Sequence, residues 1–385
     1  MNQDIEIPLI FADFVQSIPD PRRNSWNVVH TMEKLLLIAL LAMLSGADDF
    51  VSIAQWGQWN EEFLARFLDV QEGIPSHDTF NRVFSMLSNE TLNESFMELI
   101  KCMESRVEGL VALDGKVLRG SKKNGVLPVQ LLNAFCTTTG LTLGQWALEG
   151  NESEITGLKK FLKILELSGQ TVSIDAIGCQ VELAQALLEK NADYLLRVKG
   201  NQPKLHSAIY DAFLPLEAEI TEPSAHFLFG EPVVEKDHGR LEIRTSYAIN
   251  DLEGIEVLSR WPGCAAILCV KSSRQILLTD HYSTTTKYFI TSKRIDTPEE
   301  LQQLTSYARM HWGIENKLHW ILDVVMNEDE STVRDLNAAA NLSSFRKLTL
   351  NFLKQYKGTP KSMKKKLFRA ANDKKFLLQL FQVLM

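Results

Sequence analysis

Two aspartates stand where the sequence predicts buried β-strands, and a third acid lies in a predicted helix. Asp114 interrupts the apolar run Val111–Leu118, and Asp175 closes the short run that begins at Thr171. Burying a carboxylate costs free energy unless the group is paired or holds a cation. Asp114 is therefore either a strained residue or a metal ligand. Glu315 is the third candidate, although pattern alone does not separate it from the nearby acids Asp323, Glu328 and Asp329.

Three carboxylates from three separate elements are typical of a site that holds Mg²⁺. This ion takes oxygen ligands and uses few protein carboxylates beside waters and substrate phosphates. Two such ions, roughly 4 Å apart, can cleave a phosphodiester. The spacing of His311, Glu315 and His319 in steps of four places them on one face of a continuous helix, which raises a zinc hydrolase as a rival. The strand aspartates favour magnesium, and solvated acids without a shared function also fit the spacing.

The composition is that of a soluble globular protein longer than one core covers. The chain has 385 residues, of which 45% are hydrophobic and 23% are charged. The longest apolar run, Leu35–Leu44, is too short to span a bilayer, and no secretory signal pattern is found. Five scattered cysteines without a C-x-x-C pair predict a reducing, cytoplasmic setting without disulfides or structural zinc.

Charge is distributed unevenly along the chain, although the net charge is −7. Residues 1–110 contain 7 basic and 17 acidic residues, whereas residues 331–385 contain 12 basic and 2 acidic ones. The basic end is a candidate for a local nucleic-acid contact. A solvated helix surface is the alternative explanation.

The hydrophobic periodicity changes at residue 111, from helical to a mixture of strands and helices. Residues 9–110 are predicted to be all helical, with Trp56 and Trp59 in the core. Afterwards the order is three strands, helix, strand, helix, strand, helix, a β-rich insertion, a returning strand near Tyr288 and a helix from Thr297 to about Asn327, with Trp312 and Trp320 buried.

This succession predicts an α/β fold with a ribonuclease-H-like mixed sheet and flanking helices. The sheet is interrupted by a β-rich insertion and preceded by an all-helical N-terminal domain. We expect a helical domain at 1–110, a catalytic domain at 111–214 and 286–330, the insertion at 215–285 and a basic helical segment at 331–385. Asp114 and Asp175 lie on neighbouring strands of such a fold, so their carboxylates can converge.

Several dispersed motifs resemble the H-repeat-associated insertion-sequence transposases of the Asp-Asp-Glu superfamily, and the likeness covers nearly the whole chain. The motifs are Ile18-Pro19-Asp20-Pro21-Arg22, Pro75 to Phe80, Leu113-Asp114-Gly115-Lys116, Asp175 to Gln180, Tyr194 to Gln202, Asp237-His238-Gly239-Arg240 and His311 to Trp320.

The resemblance implies a DNA transposase that cleaves at the ends of its element and transfers the freed 3′-hydroxyl to target DNA. Carried over by motif, Asp114, Asp175 and Glu315 form the metal-binding triad, with Mg²⁺ as the cofactor and Mn²⁺ as a substitute. It also implies terminal repeats and target DNA as partners, a homodimer in the end-paired complex, and a cytoplasmic protein that joins the nucleoid when bound. The residues expected to contact DNA are Lys116, Arg119, Lys199, Asn201, Arg240, His311, Asn316 and Lys317.

One part of the resemblance is incomplete. Many related transposases carry a tyrosine and an arginine before the glutamate and a lysine after it, where this chain has Ala308, His311 and Leu322. We expect His311 to replace the arginine as a phosphate contact. Two alternatives to an active transposase stay open: a catalytically silent DNA-binding descendant, and a metal-dependent nuclease that cuts without joining.

Overall fold

The computed structural model describes residues 8–23, 28–103, 109–122, 127–215, 227–237, 239–277, 279 and 281–382. Within these ranges the chain forms fourteen α-helices and ten strands, and most strand pairings are antiparallel. In chain order the elements are α1 (Leu9–Ser17), α2 (Met32–Leu44), α3 (Phe50–Trp59), α4 (Glu61–Leu64), α5 (His77–Met86), α6 (Asn89–Met103), β1 (Leu110–Val117), β2 (Gln130–Cys136), β3 (Thr142–Ala147), α7 (Glu154–Ile164), β4 (Thr171–Ile174), α8 (Val181–Glu189), β5 (Asp193–Val198), α9 (Pro203–Phe213), β6 (Leu228–Phe229), β7 (Val233–Asp237), β8 (Arg240–Ile249), β9 (Ala266–Ile276), β10 (Tyr282–Thr291), α10 (Pro298–Met310), α11 (Trp320–Val324), α12 (Leu336–Gln355), α13 (Met363–Asn372) and α14 (Lys374–Phe381).

The chain divides into two compact units, each built from separate stretches of sequence. The helical unit comprises Met1–Val107, Gly115–Gly157 and Glu315–Met385. The sheet unit comprises Glu108–Asp114 and Leu158–Ile314. No helix among the described residues is long and apolar enough to cross a membrane.

The core of the helical unit is organised around α2 and α12. Every residue of Leu35–Leu44 in α2 is fully buried, as its apolar sequence predicts. Thr31 caps this helix by accepting a hydrogen bond from the Lys34 backbone N–H. α12 packs against α2, α5 and β3, and its Asn351 side chain forms hydrogen bonds of 2.9 Å to both backbone groups of Thr142. The hairpin of β2 and β3 therefore lies against a buried helix.

The sheet unit contains both parallel and antiparallel strands. β1, β4 and β5 run parallel, with Leu113 opposite Ile174 and Ile174 opposite Leu196. β10 pairs antiparallel with β5, β9 pairs antiparallel with β10, and β8 pairs antiparallel with β9. Both β6 and β7 pair with β8. One face is covered by α10, whose Leu301 and Leu304 join a core with residues of β5, β8, β9 and β10.

The mixed α/β class and the helical N-terminal region are confirmed. The predicted order of strands and helices from β1 to α10 is found, including the strand near Tyr288, which belongs to β10. The strands of the predicted insertion pair through β10 with β5, so they extend the same sheet. The division of the chain into four domains stays a prediction.

The prediction of one helix from Thr297 to Asn327 is wrong. α10 ends at Met310, a turn follows at His311 and Trp312, and a π-helix occupies Glu315–His319 before α11. Gly313, directly after the turn, is the only local signal of this break.

The predicted burial of several tryptophans is also wrong, because Trp312 and Trp320 are 53% and 55% exposed. Trp59, placed in the core by the same argument, is 79% exposed, whereas Trp56 is buried as predicted.

Candidate active site

Asp114, inside β1, and Asp175, directly after the end of β4, are neighbours on two parallel strands of the sheet unit. Leu113 of β1 pairs with Ile174 of β4, and each aspartate is the next residue along its strand. Residues that are opposite in register point to the same face of a sheet, so the two carboxylates project from one face. This neighbouring placement is what the sequence predicted for the pair.

The loop after β4 fixes Asp175 and connects it to another predicted residue. The Asp175 carboxylate caps a short 3₁₀-helix by accepting hydrogen bonds from the backbone N–H groups of Ile177 at 3.0 Å and Gly178 at 3.4 Å. Asn201 donates from Nδ2 to the carbonyl oxygen of Ala176 at 2.6 Å. Asn201 is therefore a support for this loop, and the adjacent Lys199 is exposed.

Arg197 on β5 also belongs to this region, although it was not among the predicted site residues. Ile174 pairs with Leu196, so Arg197 is in register with Asp175 on the same face. Its side chain is half-buried, burial lowers its pKa, and Asp175 attracts its charge. The signal that could have identified it is the one that identified Asp114: a charged residue inside an apolar strand, Tyr194–Val198.

His311 ends α10 and is held against the same face of the sheet. Its Nδ1 lies 2.9 Å from the hydroxyl of Ser173 on β4. Burial lowers the pKa of His311 to about 4, Asp175 opposes this shift, and Arg197 adds to it. The imidazole is therefore neutral at neutral pH. It can donate one hydrogen bond to a substrate oxygen, but it does not supply a positive charge.

Glu315 belongs to the helical unit and begins the π-helix. Glu315, Asn316 and Lys317 are all exposed. The predicted common helix face of His311, Glu315 and His319 is not formed, because the helix breaks after Met310. His319 instead lies 3.3 Å from Asn133 Nδ2, and burial lowers its pKa to about 3.

Lys116 is enclosed by acids of the helical unit. Its ammonium group forms an ion pair with Asp323 and lies 3.5 Å from Glu328 and 3.6 Å from Asp329, with only 6% of the side chain exposed. The DNA contact of Lys116 stays a prediction. These ion pairs occupy Asp323 and Glu328, the acids that the sequence could not separate from Glu315.

The two remaining arginines expected to contact DNA are exposed. Arg119 has 83% of its side chain exposed, with a single ion pair of 3.5 Å to Asp329. Arg240 is the first residue of β8 and is also exposed.

The pair of aspartates fits a magnesium ion better than zinc. Two carboxylates from adjacent strands are a ligand set that Mg²⁺ uses together with waters and substrate phosphates. Within the described ranges, no group of three or more histidine, cysteine, aspartate or glutamate residues is arranged to hold a metal. The histidines that raised the zinc alternative are separately engaged with Ser173 and Asn133.

Comparisons with known proteins match this chain to transposases over most of its length. Residues 12–100 match the family described as DDE_Tnp_1-associated, and residues 106–352 match the Transposase DDE domain. The putative protein YbfL of Escherichia coli K12 is 34% identical over 374 residues, which cover 95% of this chain and 96% of the relative. The H repeat-associated putative transposase YhhI of the same organism is 33% identical with the same coverage.

One solved structure, a piggyBac transposase synaptic complex with hairpin DNA, has a TM-score of 0.39 and 12% identity. It covers 97% of this chain and 79% of that chain. The sequence matches alone establish the family: this chain is a member of the Transposase DDE domain family and a relative of the H repeat-associated putative transposases.

Proposed function

We propose that this protein is a DNA transposase that cleaves phosphodiesters at the ends of a mobile element and joins the freed 3′-hydroxyl to target DNA. The observation that carries the proposal is the pair Asp114 and Asp175 on adjacent parallel strands, within the segment that matches the Transposase DDE domain. The parallel β1, β4 and β5 with antiparallel strands beside them also support a ribonuclease-H-like catalytic fold.

In this proposal Asp114 and Asp175 hold divalent metal, and Glu315 is the third catalytic carboxylate. Bound Mg²⁺ would activate the attacking oxygen and stabilise the leaving oxygen at phosphorus. Water attacks in the first reaction and the freed 3′-hydroxyl in the second. Both are in-line displacements, so one set of residues serves for both.

His311 and Asn201 have supporting roles in the proposed site. If the Ser173 hydroxyl donates to Nδ1, the neutral His311 ring carries its proton on Nε2. The Nε2–H group can then donate a hydrogen bond to a phosphate oxygen. Asn201 holds the loop that follows Asp175. Lys199, Arg119, Arg240, Asn316 and Lys317 are exposed and remain candidates for DNA contacts. We also propose that the protein binds the paired element ends as a homodimer. It would act in the cytoplasm, where the chromosome lies.

The test is nicking of a supercoiled plasmid that carries candidate element ends, in Mg²⁺, Mn²⁺, Zn²⁺ or EDTA. We expect nicks in Mg²⁺ or Mn²⁺ that disappear with Asp114→Asn, Asp175→Asn or Glu315→Gln. Asp211→Asn is the matched control, because Asp211 is an exposed acid on α9 of the same unit. It should nick like the wild type.

Other outcomes would point to another function or to another catalytic residue. DNA binding without nicking in any metal would identify a silent descendant of a transposase. Nicks without joined products would identify a nuclease. Nicking that survives Glu315→Gln would remove Glu315 from the catalytic set.

A further inference from the structure

Several cations gather on the face of the sheet unit from which Asp114 and Asp175 project. Phe289 of β10 pairs with Arg197 of β5, so Lys287, two residues before Phe289, lies on the same face as Arg197. Lys199 directly follows the end of β5, and its charge repels that of Lys287. Positive charges therefore extend from Asp175 across two strands.

Arg197 lacks a close partner in its half-buried position. Its Nε atom is buried and has no hydrogen-bond partner, and no carboxylate among the described residues lies within ion-pair distance of its guanidinium. Asp175 attracts it only from further away. An unpaired buried charge is costly, because water no longer solvates it. A group that binds next to Arg197 and carries negative charge would remove this cost.

Lys287 is in a similar position beside Arg197. It is half-buried, and burial followed by repulsion from Arg197 lowers its pKa. Its Nζ lies 5.9 Å from the ring centre of Trp312, within the range of a cation–π contact. This contact leaves the positive charge of Lys287 unneutralised.

The nearest acid on β8 is already engaged. Glu242 accepts hydrogen bonds from Arg244 at 2.8 Å and from Arg274 at 3.2 Å. Asp175 would be shared with a metal ion during catalysis. Within the part of the chain that the structure describes, the charges of Arg197 and Lys287 thus have no dedicated counter-charge.

We propose that Arg197 and Lys287 form an anion site that binds a backbone phosphate of DNA beside Asp175. The inference rests on the proposed function and adds to it the surface along which the DNA strand enters the active site. A planar guanidinium offers paired N–H donors to phosphate oxygens, and the ammonium of Lys287 supplies a second positive charge on the same face. Such a contact acts on any DNA sequence, because it involves the backbone alone.

An alternative role for Arg197 is to neutralise Asp175 without touching DNA. The two roles separate in a chain that carries Asp175→Asn, because the charge to be neutralised is then gone. If Arg197 contacts a phosphate, replacing Arg197 still weakens DNA binding in the Asp175→Asn chain. If Arg197 only neutralises Asp175, replacing it there does not change DNA binding.

The experiment measures binding of the full chain carrying Asp175→Asn to a short duplex of arbitrary sequence in EDTA, as a function of salt. Each phosphate contact that is lost should lower the log–log slope by about 0.9. We expect this loss for Arg197→Gln and for Lys287→Gln, and about 1.8 for both together. Arg197→Lys should keep the slope, since it keeps the charge. Lys271→Gln is the control, because Lys271 lies opposite Thr286 on β9 and points to the other face of the sheet.

Unchanged slopes for Arg197→Gln and Lys287→Gln, with the duplex still bound, would overturn the anion site and leave the proposed function standing. The same substitution is also measured in the chain that keeps Asp175. A slope that falls for Arg197→Gln in that chain but not in the Asp175→Asn chain would assign Arg197 to neutralising Asp175, and would likewise overturn its phosphate contact. If the parent chain binds no duplex at any salt concentration, the proposed function fails together with the inference. A thermal unfolding midpoint like that of the parent chain confirms that each variant is folded.

Discussion

Lys116 belongs to a cluster of buried charged side chains inside the helical unit. Three acids surround its ammonium group, and one of them, Glu328, is fully buried. Ser343 and Lys347 of α12 continue this polar cluster. Removing one partner from such a cluster leaves the other charges buried and uncompensated.

We therefore expect Lys116→Met to lower the free energy of unfolding by about 3–5 kcal/mol. Arg119→Met is the matched control, because Arg119 contacts the same Asp329 from an exposed position and should cost no more than about 1 kcal/mol. Urea unfolding of both variants measures the difference. Equal losses would show that Lys116 is not an essential partner of the buried acids.

The two buried histidines should make stability depend on pH. Folding lowers the pKa of His311 from 6.5 to about 4, mainly through burial. Between these values the unfolded chain binds a proton that the folded chain does not, so stability is complete above pH 6.5 and falls as pH drops toward 4. At about 1.4 kcal/mol per pKa unit, His311 accounts for about 3 kcal/mol of this loss.

The measurement is the thermal unfolding midpoint of the wild type and of His311→Gln across this pH range. The variant should lose less stability on acidification than the wild type, and His319→Gln should behave likewise, since burial also lowers the pKa of His319. Parallel pH curves for wild type and variants would contradict the buried, neutral state of these rings.

At the scale of residues, the sequence identified the aspartates but not their surroundings. Asp114 and Asp175 stood out because carboxylates are rare inside apolar strands. The burial of Lys116 could not be predicted, because its partners lie about two hundred residues away in the chain. Trp312 and Trp320 were predicted to be buried because large aromatic side chains usually are, and both are exposed.

The π-helix at Glu315–His319 is the element with the clearest connection to the proposed catalysis. A π-helix closes its hydrogen bonds over five residues instead of four, and such turns occur frequently at functional sites. The helical periodicity of the sequence does not reveal it, because the π-helix covers only five residues, too few to show a change of period. This is why the sequence predicted a continuous helix with the wrong face for Glu315.

Deleting Asn316 should convert this turn to an α-helix and rotate Glu315 relative to the helix that follows. We expect nicking to fall by about 100-fold or more, since small displacements of a catalytic group are costly. Asn316→Ala removes the same side chain without a change of register and should lose far less activity. Similar activities for the deletion and the substitution would mean that the π-turn has no part in placing Glu315.

Regular elements were otherwise well predicted where local signals are strong. Ser76 and Ser153, whose residue type is preferred at helix N-caps, each accept a hydrogen bond at a helix start. The β-rich region was harder, because alternating patterns show that strands exist but do not show which strand they pair with. The β-rich region joins the sheet because β10 pairs with β5, which lies far from it in the sequence.

At the scale of the whole molecule, the basic C-terminal segment consists of two kinds of cation. Arg346, Lys347 and Lys366 are buried and bonded inside the helical unit. Lys364 and Lys365 are exposed on α13. The net charge read from the sequence therefore overstates the positive charge that this segment offers to DNA.

Lys364→Gln with Lys365→Gln should lower the salt slope of DNA binding by up to about 1.8 if both contact phosphates, with little effect on stability. Lys366→Met should instead lower the thermal unfolding midpoint, because the Lys366 ammonium group donates to the backbone carbonyl groups of Leu353 and Tyr356. An unchanged slope for the double variant would remove this surface from the DNA interface.

The pairing of α2 and α12 imposes an order on biosynthesis. α2 is translated before the sheet unit, whereas α12 is translated only after the whole of the sheet unit. Until then the apolar residues of α2 lack the helix that covers them, and the nascent chain needs a chaperone or transient contacts to keep them from aggregating. A chain that ends before α12 would accordingly leave this face of α2 without the helix that packs against it.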